Sequence, residues 1–259
     1  MPWGDAVEFQ QVVSCALEIG EYMLVSGAEV YRVEDCMQRI CKAYGAKDVD
    51  VFTITSSIVL TAQAPDGAHI TQTCRIARTN TDLTMVDALN DLSRSMCTDQ
   101  LSYEEVRSRL EQIKAMPRYP QWVEYLMYAV IAGAFTLFFG GCWADMIAAI
   151  VVGVCLKACV WLTGRARFNQ VFSNVIATYA LTVLSYVLVR LGVGKSVDMI
   201  VIGNIMPLIP GIGLTNSLRD MVTGDTITGM LRFCEACIIA LAIAAGYILA
   251  SISLGGLGV

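Results

Sequence analysis

The segment GNIMPLIPGIGLTNSLRDMVTGD (residues 203–225) combines helix-breaking residues with polar side chains in an otherwise apolar part of the chain. Proline has no N–H, and its ring collides with the carbonyl four residues earlier in a helix. Pro207 is therefore expected to free the carbonyl of Gly203, and Pro210 that of Met206. The breakers and polar residues of interest are Gly203, Asn204, Pro207, Pro210, Gly211, Thr215, Asn216, Arg219 and Asp220.

Freed backbone groups inside a membrane can bind a small charged molecule. Free carbonyls bind a cation or an ammonium group, and the N–H groups that open the next half-helix bind a carboxylate. An amino acid carries both charges, and Arg219 suits any carboxylate. These residues are therefore the predicted substrate-binding residues. The alternative is a kinked helix whose free groups are satisfied by its neighbours, with Arg219 and Asp220 marking the membrane interface.

The chain as a whole has a polar, acidic first half and an apolar second half. Apolar residues make up 56% of the 259 residues, charged residues make up 16%, and the mean hydropathy is +0.58. The net charge is −5 without a basic run, which argues against a nucleic-acid partner. The first ten residues lack a basic region followed by an apolar core, so we expect the first half to stay in the cytoplasm.

Apolar runs in the second half have the length of membrane-spanning helices, about 20 residues. We predict an α-helical integral membrane protein with an N-terminal cytoplasmic α+β domain at residues 1–118 and a membrane domain at residues 119–259. The fourth of its five spans is broken by proline and glycine. The predicted spans cover residues 122–143, 144–164, 170–190, 197–218 and 230–256.

Arginine and lysine near the span ends predict the orientation, because they are enriched on the cytoplasmic side. The bias places the N-terminus in the cytoplasm and the C-terminus outside, in a multi-pass protein of the plasma or inner membrane. The cytoplasmic group is Arg118, Arg165, Arg167, Arg219 and Arg232, and the outer group is Arg190 and Lys195.

The first half mixes helical and strand patterns. Residues 5–25, 28–44, 81–97 and 102–116 have helical periodicity, and Ser102 with Glu105 resembles a capping box. Between them, VDVFTITSSIVLTAQA and AHITQTCRIAR flank PDG and predict a hairpin of two strands.

Four further polar residues lie within or beside the predicted spans. Glu235 and Asp145 are candidates for proton coupling, but Glu235 follows Arg232 by one turn, which favours an ion pair at the interface. Lys157 either extends to the interface or faces a cavity. Asn174 suits a hydrogen bond between helices.

Cysteine and histidine give no metal motif. The chain has ten cysteines and one histidine, His69, without the paired spacing that zinc requires. We interpret the cysteines as small buried apolar residues in a reducing compartment and His69 as a surface strand residue, and we expect no cofactor.

SGAEVYRVEDCMQRICKAYG (26–45) and GNIMPLIPGIGLTNSLRDMVTGDTITGMLRFCEA (203–236) resemble the threonine/serine exporter family. The resemblance is to the half of the family with a cytoplasmic domain followed by five spans. It implies export of threonine and serine, or of a dicarboxylate such as succinate, driven by protons as in an antiporter. Members occur as one fused chain or as two chains, so it also implies a small membrane subunit of the same family as partner.

Two other functions remain open at this point. The N-terminal domain is also interpretable as a membrane-anchored sensor or assembly platform. A hydrolase site would need residues such as Ser56 and Ser57, but no nucleophile elbow or phosphate loop accompanies them. We therefore expect a protein that is not an enzyme.

Overall fold

The computed structural model describes residues 6–77, 79–117 and 119–255, which form two compact units. The N-terminal unit comprises Met1–Pro117 and Ile212–Phe233, and the membrane unit comprises Arg118–Gly211 and Cys234–Val259. The segment Ile212–Phe233 therefore packs with the N-terminal residues, although the sequence places it in the membrane domain. The predicted division between cytoplasm and membrane at residue 118 stays a prediction. Arg118 and the two chain ends lie outside the described residues.

The N-terminal unit begins with two helices that pack on a small sheet and on two further helices. The apolar side of the second helix is fully buried, including Val33 and Ile40, because its apolar residues recur at helical spacing. The helices are α1 (Ala6–Val25), α2 (Val30–Ala43), α3 (Leu83–Asp99) and α4 (Tyr103–Lys114).

The sheet has three antiparallel strands where the sequence predicts two. The strands are β1 (Asp48–Ile54), β2 (Ser57–Gln63) and β3 (His69–Arg75), in the order β1-β2-β3. The first predicted strand turns back on itself, because Ile54 pairs with Ser57 and leaves Thr55 and Ser56 as a two-residue turn. An unbroken run would exceed the usual strand length of about 5–6 residues. The two-strand hairpin is thus wrong, while His69 is confirmed as an exposed strand residue.

The membrane unit is built from long apolar helices. Among the described residues, four helices are long and apolar enough to cross a membrane, and a fifth span exists if the bent pair Val197–Leu208 and Gly211–Thr223 counts as one. A discontinuous fourth span stays a prediction. The helices are α5 (Gln121–Phe138), α6 (Trp143–Arg165), α7 (Gln170–Arg190), α8 (Val197–Ile205), α9 (Gly211–Thr223) and α10 (Thr226–Gly255).

Small residues allow close packing between helices of the membrane unit. A Cβ on Gly153 of α6 would lie 2.8 Å from the carbonyl oxygen of Tyr128 in α5. A Cβ on Gly246 of α10 would lie 2.5 Å from the carbonyl oxygen of Val175 and 2.9 Å from Cβ of Thr178, both in α7. Helices in lipid associate through such close contacts, because apolar burial gains little when the solvent is itself apolar.

We predict that Gly246→Ala lowers the thermal midpoint of the purified protein. Alanine is a better helix former than glycine by about 1 kcal/mol, but the new methyl group would have to push α7 and α10 apart, which typically costs about 1–3 kcal/mol. The matched control is Gly164→Ala in α6, where a Cβ meets nothing within 4 Å. A Gly246→Ala midpoint equal to or above that of Gly164→Ala would contradict the close α7–α10 contact.

Candidate functional site

The helix break lies at the predicted place. Helix α8 ends at Ile205, a 3-10 turn covers Met206–Leu208, and α9 begins at Gly211. The N–H of Ile209 donates to the carbonyl oxygen of Met206 at 3.3 Å. The expectation that Pro210 frees the Met206 carbonyl is therefore wrong, because the chain tightens into a turn with bonds over three residues rather than four.

Two of the predicted site residues, Gly203 and Asn204, lie in the last turn of α8 inside the membrane unit. Gly203 packs on α5, where a Cβ would touch the Thr136 hydroxyl and lie 2.8 Å from the carbonyl oxygen of Ala132. Asn204 is fully buried, and its Nδ2 donates to the carbonyl oxygen of Ile200 at 2.9 Å. Its Oδ1 has no hydrogen-bond partner among the described residues.

The polar residues of α9 lie instead in the N-terminal unit, against the turn between α1 and α2. Gly27 occupies that turn with φ of +89°, a conformation that favours glycine. Nδ2 of Asn216 donates to the carbonyl oxygen of Gly27 at 3.1 Å. Arg219 forms an ion pair with Glu29. Two predicted substrate-binding side chains thus contact the protein's own backbone and an acidic side chain, while Thr215 is exposed.

A buried ion pair, Asp220 with Arg232, joins α9 to the first turns of α10. Nη1 of Arg232 lies 2.9 Å from Oδ2 of Asp220, and Nη2 donates to the carbonyl oxygen of Ala28 at 3.0 Å. Asp220 is 1% exposed, and its Oδ1 has no hydrogen-bond partner within the described part of the chain.

The structure therefore corrects the expected Arg232–Glu235 ion pair. The guanidinium group of Arg232 is held between the Asp220 carboxylate and the α1–α2 turn, and Glu235 is exposed without an ion pair among residues 6–77, 79–117 and 119–255. The short sequence separation suggested the wrong partner for Arg232. Its two terminal nitrogens, Nη1 and Nη2, instead contact Asp220 and the Ala28 carbonyl, both outside the first turns of α10.

A second contact in the N-terminal unit links β1 to the start of α10. The hydroxyl of Thr228 donates to the carbonyl oxygen of Thr53 at 3.3 Å, and the N–H of Thr53 donates to Glu34 at 2.8 Å. Burial raises the pKa of Glu34 above its ordinary value, although the Thr53 N–H acts in the opposite direction, and Asp225 raises it further. The loop between α9 and α10 thus faces a partly buried acidic group.

Asp145 is held at the first turn of α6 by backbone donors. Its carboxylate accepts from the N–H groups of Cys142 at 2.9 Å, Lys195 at 2.6 Å and Ser196 at 2.9 Å. Three such donors stabilise the ionised carboxylate and fix the α7–α8 loop against α6. Within the same unit, Lys157 forms an ion pair with Glu124 of α5.

The structure brings in contacts that the sequence alone did not predict. The α1–α2 turn and Arg232 contact the predicted residues of α9, and both belong to the two segments quoted above for their resemblance. The shared family resemblance of these two segments was the one sign in the sequence that they lie together, because segments that carry one resemblance often meet in the fold. No group of three or more His, Cys, Asp or Glu in the described ranges has the arrangement of a metal site.

The cysteines follow their expected role in part. All ten are free, but only Cys15, Cys36 and Cys41 are buried, while Cys155 and Cys234 are exposed. Burial raises the pKa of the Cys15 thiol to about 11, which keeps it protonated and unreactive at neutral pH.

Comparison with known proteins assigns the family. The ThrE family model, described as "Putative threonine/serine exporter", matches residues 14–255. The chain belongs to the threonine/serine exporter family. This match includes the α1–α2 turn, the helix break and the Asp220–Arg232 pair. No solved structure matches the chain at a significant level.

Relatives of the exporter family differ in length and in name. The chain is 27% identical to the "Probable succinate transporter subunit YjjP" of Klebsiella aerogenes, covering 95% of each chain. It is 24% identical to the protein of the same name from Escherichia coli, over 92% of this chain and 93% of the relative. It is also 24% identical to the "Probable threonine/serine exporter" of Mycobacterium tuberculosis, covering 95% of this chain but 46% of that protein.

We predict that breaking the Asp220–Arg232 pair on one side destabilises the N-terminal unit strongly. Asp220→Ala leaves the Arg232 charge largely buried and should lower the free energy of unfolding by about 3 kcal/mol or more. The double variant Asp220→Ala/Arg232→Ala should lose less than the sum of the two single variants, because neither charge is then stranded. Thermal unfolding of the purified chain measures both.

The control for this cycle is Asp91→Ala, which removes an ion pair with Arg94 whose side chains are 66% and 67% exposed. That variant should change stability little, since exposed pairs contribute about 0–1 kcal/mol. Additive losses in the Asp220–Arg232 cycle would show that the two residues do not interact.

Proposed function

We propose that this chain is one subunit of a secondary transporter that exports threonine and serine, or a dicarboxylate such as succinate. The observation that carries the proposal is the family match over residues 14–255. The four or five apolar helices of spanning length support it, because they provide a membrane unit for transport. The named relatives include both substrate classes, so the choice between them is left to experiment.

The partner we propose is a separate small membrane subunit of the same family. The chain aligns over 95% of its length with a relative named as a transporter subunit, and it covers about half, 46%, of a relative named as an exporter. A second chain would supply the part of the longer relative that has no counterpart here. An odd number of spans in this chain would give that related half the opposite topology, as inverted-repeat transporters require.

We propose that the N-terminus faces the cytoplasm of the cell and the C-terminus lies outside. The positive-inside rule supports this orientation. Arg219 and Arg232, both counted as cytoplasmic, contact Glu29 and Ala28 within the N-terminal unit, which agrees with their assignment to the same side as the N-terminal helices.

We propose that the substrate binds at the residues of the helix break. The ion pair of Arg219 sets a condition on this binding. Arg219 is paired with Glu29, whose side chain is 17% exposed, so a substrate carboxylate has to displace Glu29 from the guanidinium group. A carboxylate can do so because it carries the same charge as Glu29 and can accept from the guanidinium group with both oxygens. Substrate binding would then loosen α9 from the α1–α2 turn, which links binding to a conformational step.

Export driven by protons needs a carboxyl group that gains and loses a proton. Of the two predicted carriers, the Asp145 carboxylate already accepts from three N–H groups, whereas Glu235 is exposed and has no ion pair among the described residues. We therefore favour Glu235 for proton coupling and assign Asp145 to holding the α7–α8 loop.

One observation favours a second role for the N-terminal unit, as a regulator of the membrane helices. The segment Ile212–Phe233 leads directly into the long apolar part of α10 and is bound to the α1–α2 turn by one ion pair and by hydrogen bonds. A signal sensed by the N-terminal helices would reach α10 through this segment. This role is compatible with export.

We predict that cells loaded with serine, threonine or succinate export at least one of them when this chain and its partner subunit are produced together. This chain alone should give background efflux. Asn216→Ala in the pair should reduce efflux about tenfold, because it removes a hydrogen bond at the proposed substrate site. Efflux of radiolabelled substrate is measured for the pair, for this chain alone and for the Asn216→Ala pair.

The control for this experiment is Thr61→Ala on the sheet, whose hydroxyl shares a hydrogen bond with that of Thr71 on an exposed face. It should export as the wild-type pair does. Efflux by this chain alone at the rate of the pair would refute the two-subunit proposal, and no efflux of any substrate would refute the exporter proposal.

We predict that Glu235→Gln removes the dependence of efflux on the pH gradient, because glutamine cannot carry a proton. Asp145→Asn should instead reduce the amount of folded protein, since it replaces the charge that three N–H groups surround. Efflux at imposed pH gradients, with protein content measured in parallel, separates the two. A Glu235→Gln pair that still responds to the gradient would exclude Glu235 as the carrier.

A further inference from the structure

Helix α7 is polar on its buried side and apolar on its exposed side. Phe172 is 65% exposed and Val187 is 42% exposed, as expected of side chains that face lipid. Five of the seven buried residues are polar, and together they extend along about 18 Å of the helix. The buried residues of α7 are Ser173, Asn174, Ala177, Thr178, Leu181, Thr182 and Ser185.

Three of these polar groups have partners that account for them. The hydroxyl of Thr182 donates to the carbonyl oxygen of Thr178 at 2.8 Å, and that of Ser185 donates to Leu181 at 2.7 Å. Ser173 shares a hydrogen bond of 2.5 Å with Thr163 of α6. Such bonds satisfy a hydroxyl group in a membrane helix without a ligand.

The other two polar groups are different. The Oγ1 of Thr178 and the Nδ2 of Asn174 are buried and have no hydrogen-bond partner among the residues that the structure describes. Thr178 is 0% exposed and Asn174 is 6% exposed. They are four residues apart and so lie on one face of the helix, one turn from each other. A buried donor without a partner is strongly unfavourable in hydrocarbon. The Thr178 hydroxyl and the Asn174 amide are therefore suited to donate to a bound polar molecule.

Helix α8 contributes a complementary group. It packs on α7 in one apolar cluster that includes Ala177 and Leu181 of α7 with Ile200 and Val201 of α8. One turn after Ile200 lies Asn204, fully buried, with its Oδ1 unpartnered within the described residues. The Nδ2 donates to the Ile200 carbonyl, which fixes Oδ1 as the free acceptor. The membrane unit thus holds two unused donors on α7 and an unused acceptor on α8.

We propose that Thr178 and Asn174, together with Asn204, bind a small carboxylate-bearing solute inside the membrane unit. The hydroxyl and amide donors of α7 hold the carboxylate, and Oδ1 of Asn204 accepts from an ammonium or hydroxyl group of the solute. A Cβ on Gly246 of α10 would lie 2.9 Å from Cβ of Thr178, so α10 covers this part of α7. This inference rests on the proposed export function and names residues of α7 outside the helix break.

The deciding variant is Thr178→Val, because valine keeps the shape of threonine and removes only the hydroxyl. Removing an unpartnered hydroxyl should leave the thermal midpoint unchanged or raise it. Efflux by the two-subunit transporter should nevertheless fall about tenfold or more, with Thr178→Ser restoring it. The matched control is Thr182→Val, one turn away on the same buried face, whose hydroxyl is already satisfied by Thr178. It should export at close to the wild-type rate.

A second measurement does not depend on transport. Serine, threonine or succinate should raise the melting temperature of the purified wild-type chain, and this rise should disappear in Thr178→Val. Asn204→Leu should abolish the rise with serine and threonine, which carry donors, and affect succinate less, since the succinate dianion has none.

The outcomes separate this inference from the export proposal. Wild-type efflux with equal efflux by Thr178→Val would overturn the site and leave export standing. Equal losses in Thr178→Val and Thr182→Val would also overturn it, because packing would then explain both. A wild type that shows neither efflux nor a rise in melting temperature with any of the three solutes would overturn both proposals.

Discussion

The constraint on which the membrane unit depends is that a polar group in hydrocarbon must find its partner inside the protein. Most of the unit obeys it through local bonds. The hydroxyls of Thr136, Thr182 and Ser185 return to carbonyls one turn earlier, and Asp145 takes three N–H groups at the start of α6. Such local solutions leave the helix surfaces free for close packing through glycine and alanine.

The same constraint explains why the exceptions are informative. In a water-exposed helix an unpaired hydroxyl would be unremarkable, since water satisfies it. Thr178, Asn174 and Asn204 lie on buried faces of helices that belong to a family of exporters. Their unsatisfied atoms are neutral, so they contribute recognition without placing a charge in the membrane, which would be far more unfavourable.

Buried charged residues follow a different rule, because each buried charge needs a partner of opposite charge. Asp220 and Arg232 form a buried pair whose desolvation is offset by mutual attraction and by the Ala28 carbonyl. Separating the two residues would strand a buried charge, so the pair favours the arrangement in which they meet. This accounts for the packing of the start of α10 on the N-terminal residues.

The sequence predicts what depends on local spacing and fails where distant residues decide. Helical periodicity and apolar length predicted α1 to α7 closely, and proline chemistry predicted the end of α8. The turn at Thr55 and Ser56 was missed, because threonine and serine also suit strands. The partner of Arg232 was missed for another reason: Asp220 and Glu235 are both near in sequence, and only the tertiary position of the α1–α2 turn selects between them.

The neutral character of the unsatisfied groups on α7 and α8 also bears on how such a protein can release its substrate. A buried arginine would bind a carboxylate tightly but would hold it, whereas conduction needs binding that is strong enough to attract and weak enough to let go. Hydrogen bonds from a hydroxyl and an amide are weaker than those from a guanidinium group. The unsatisfied groups on α7 are of this weaker, neutral kind, which suits a site that has to release its ligand.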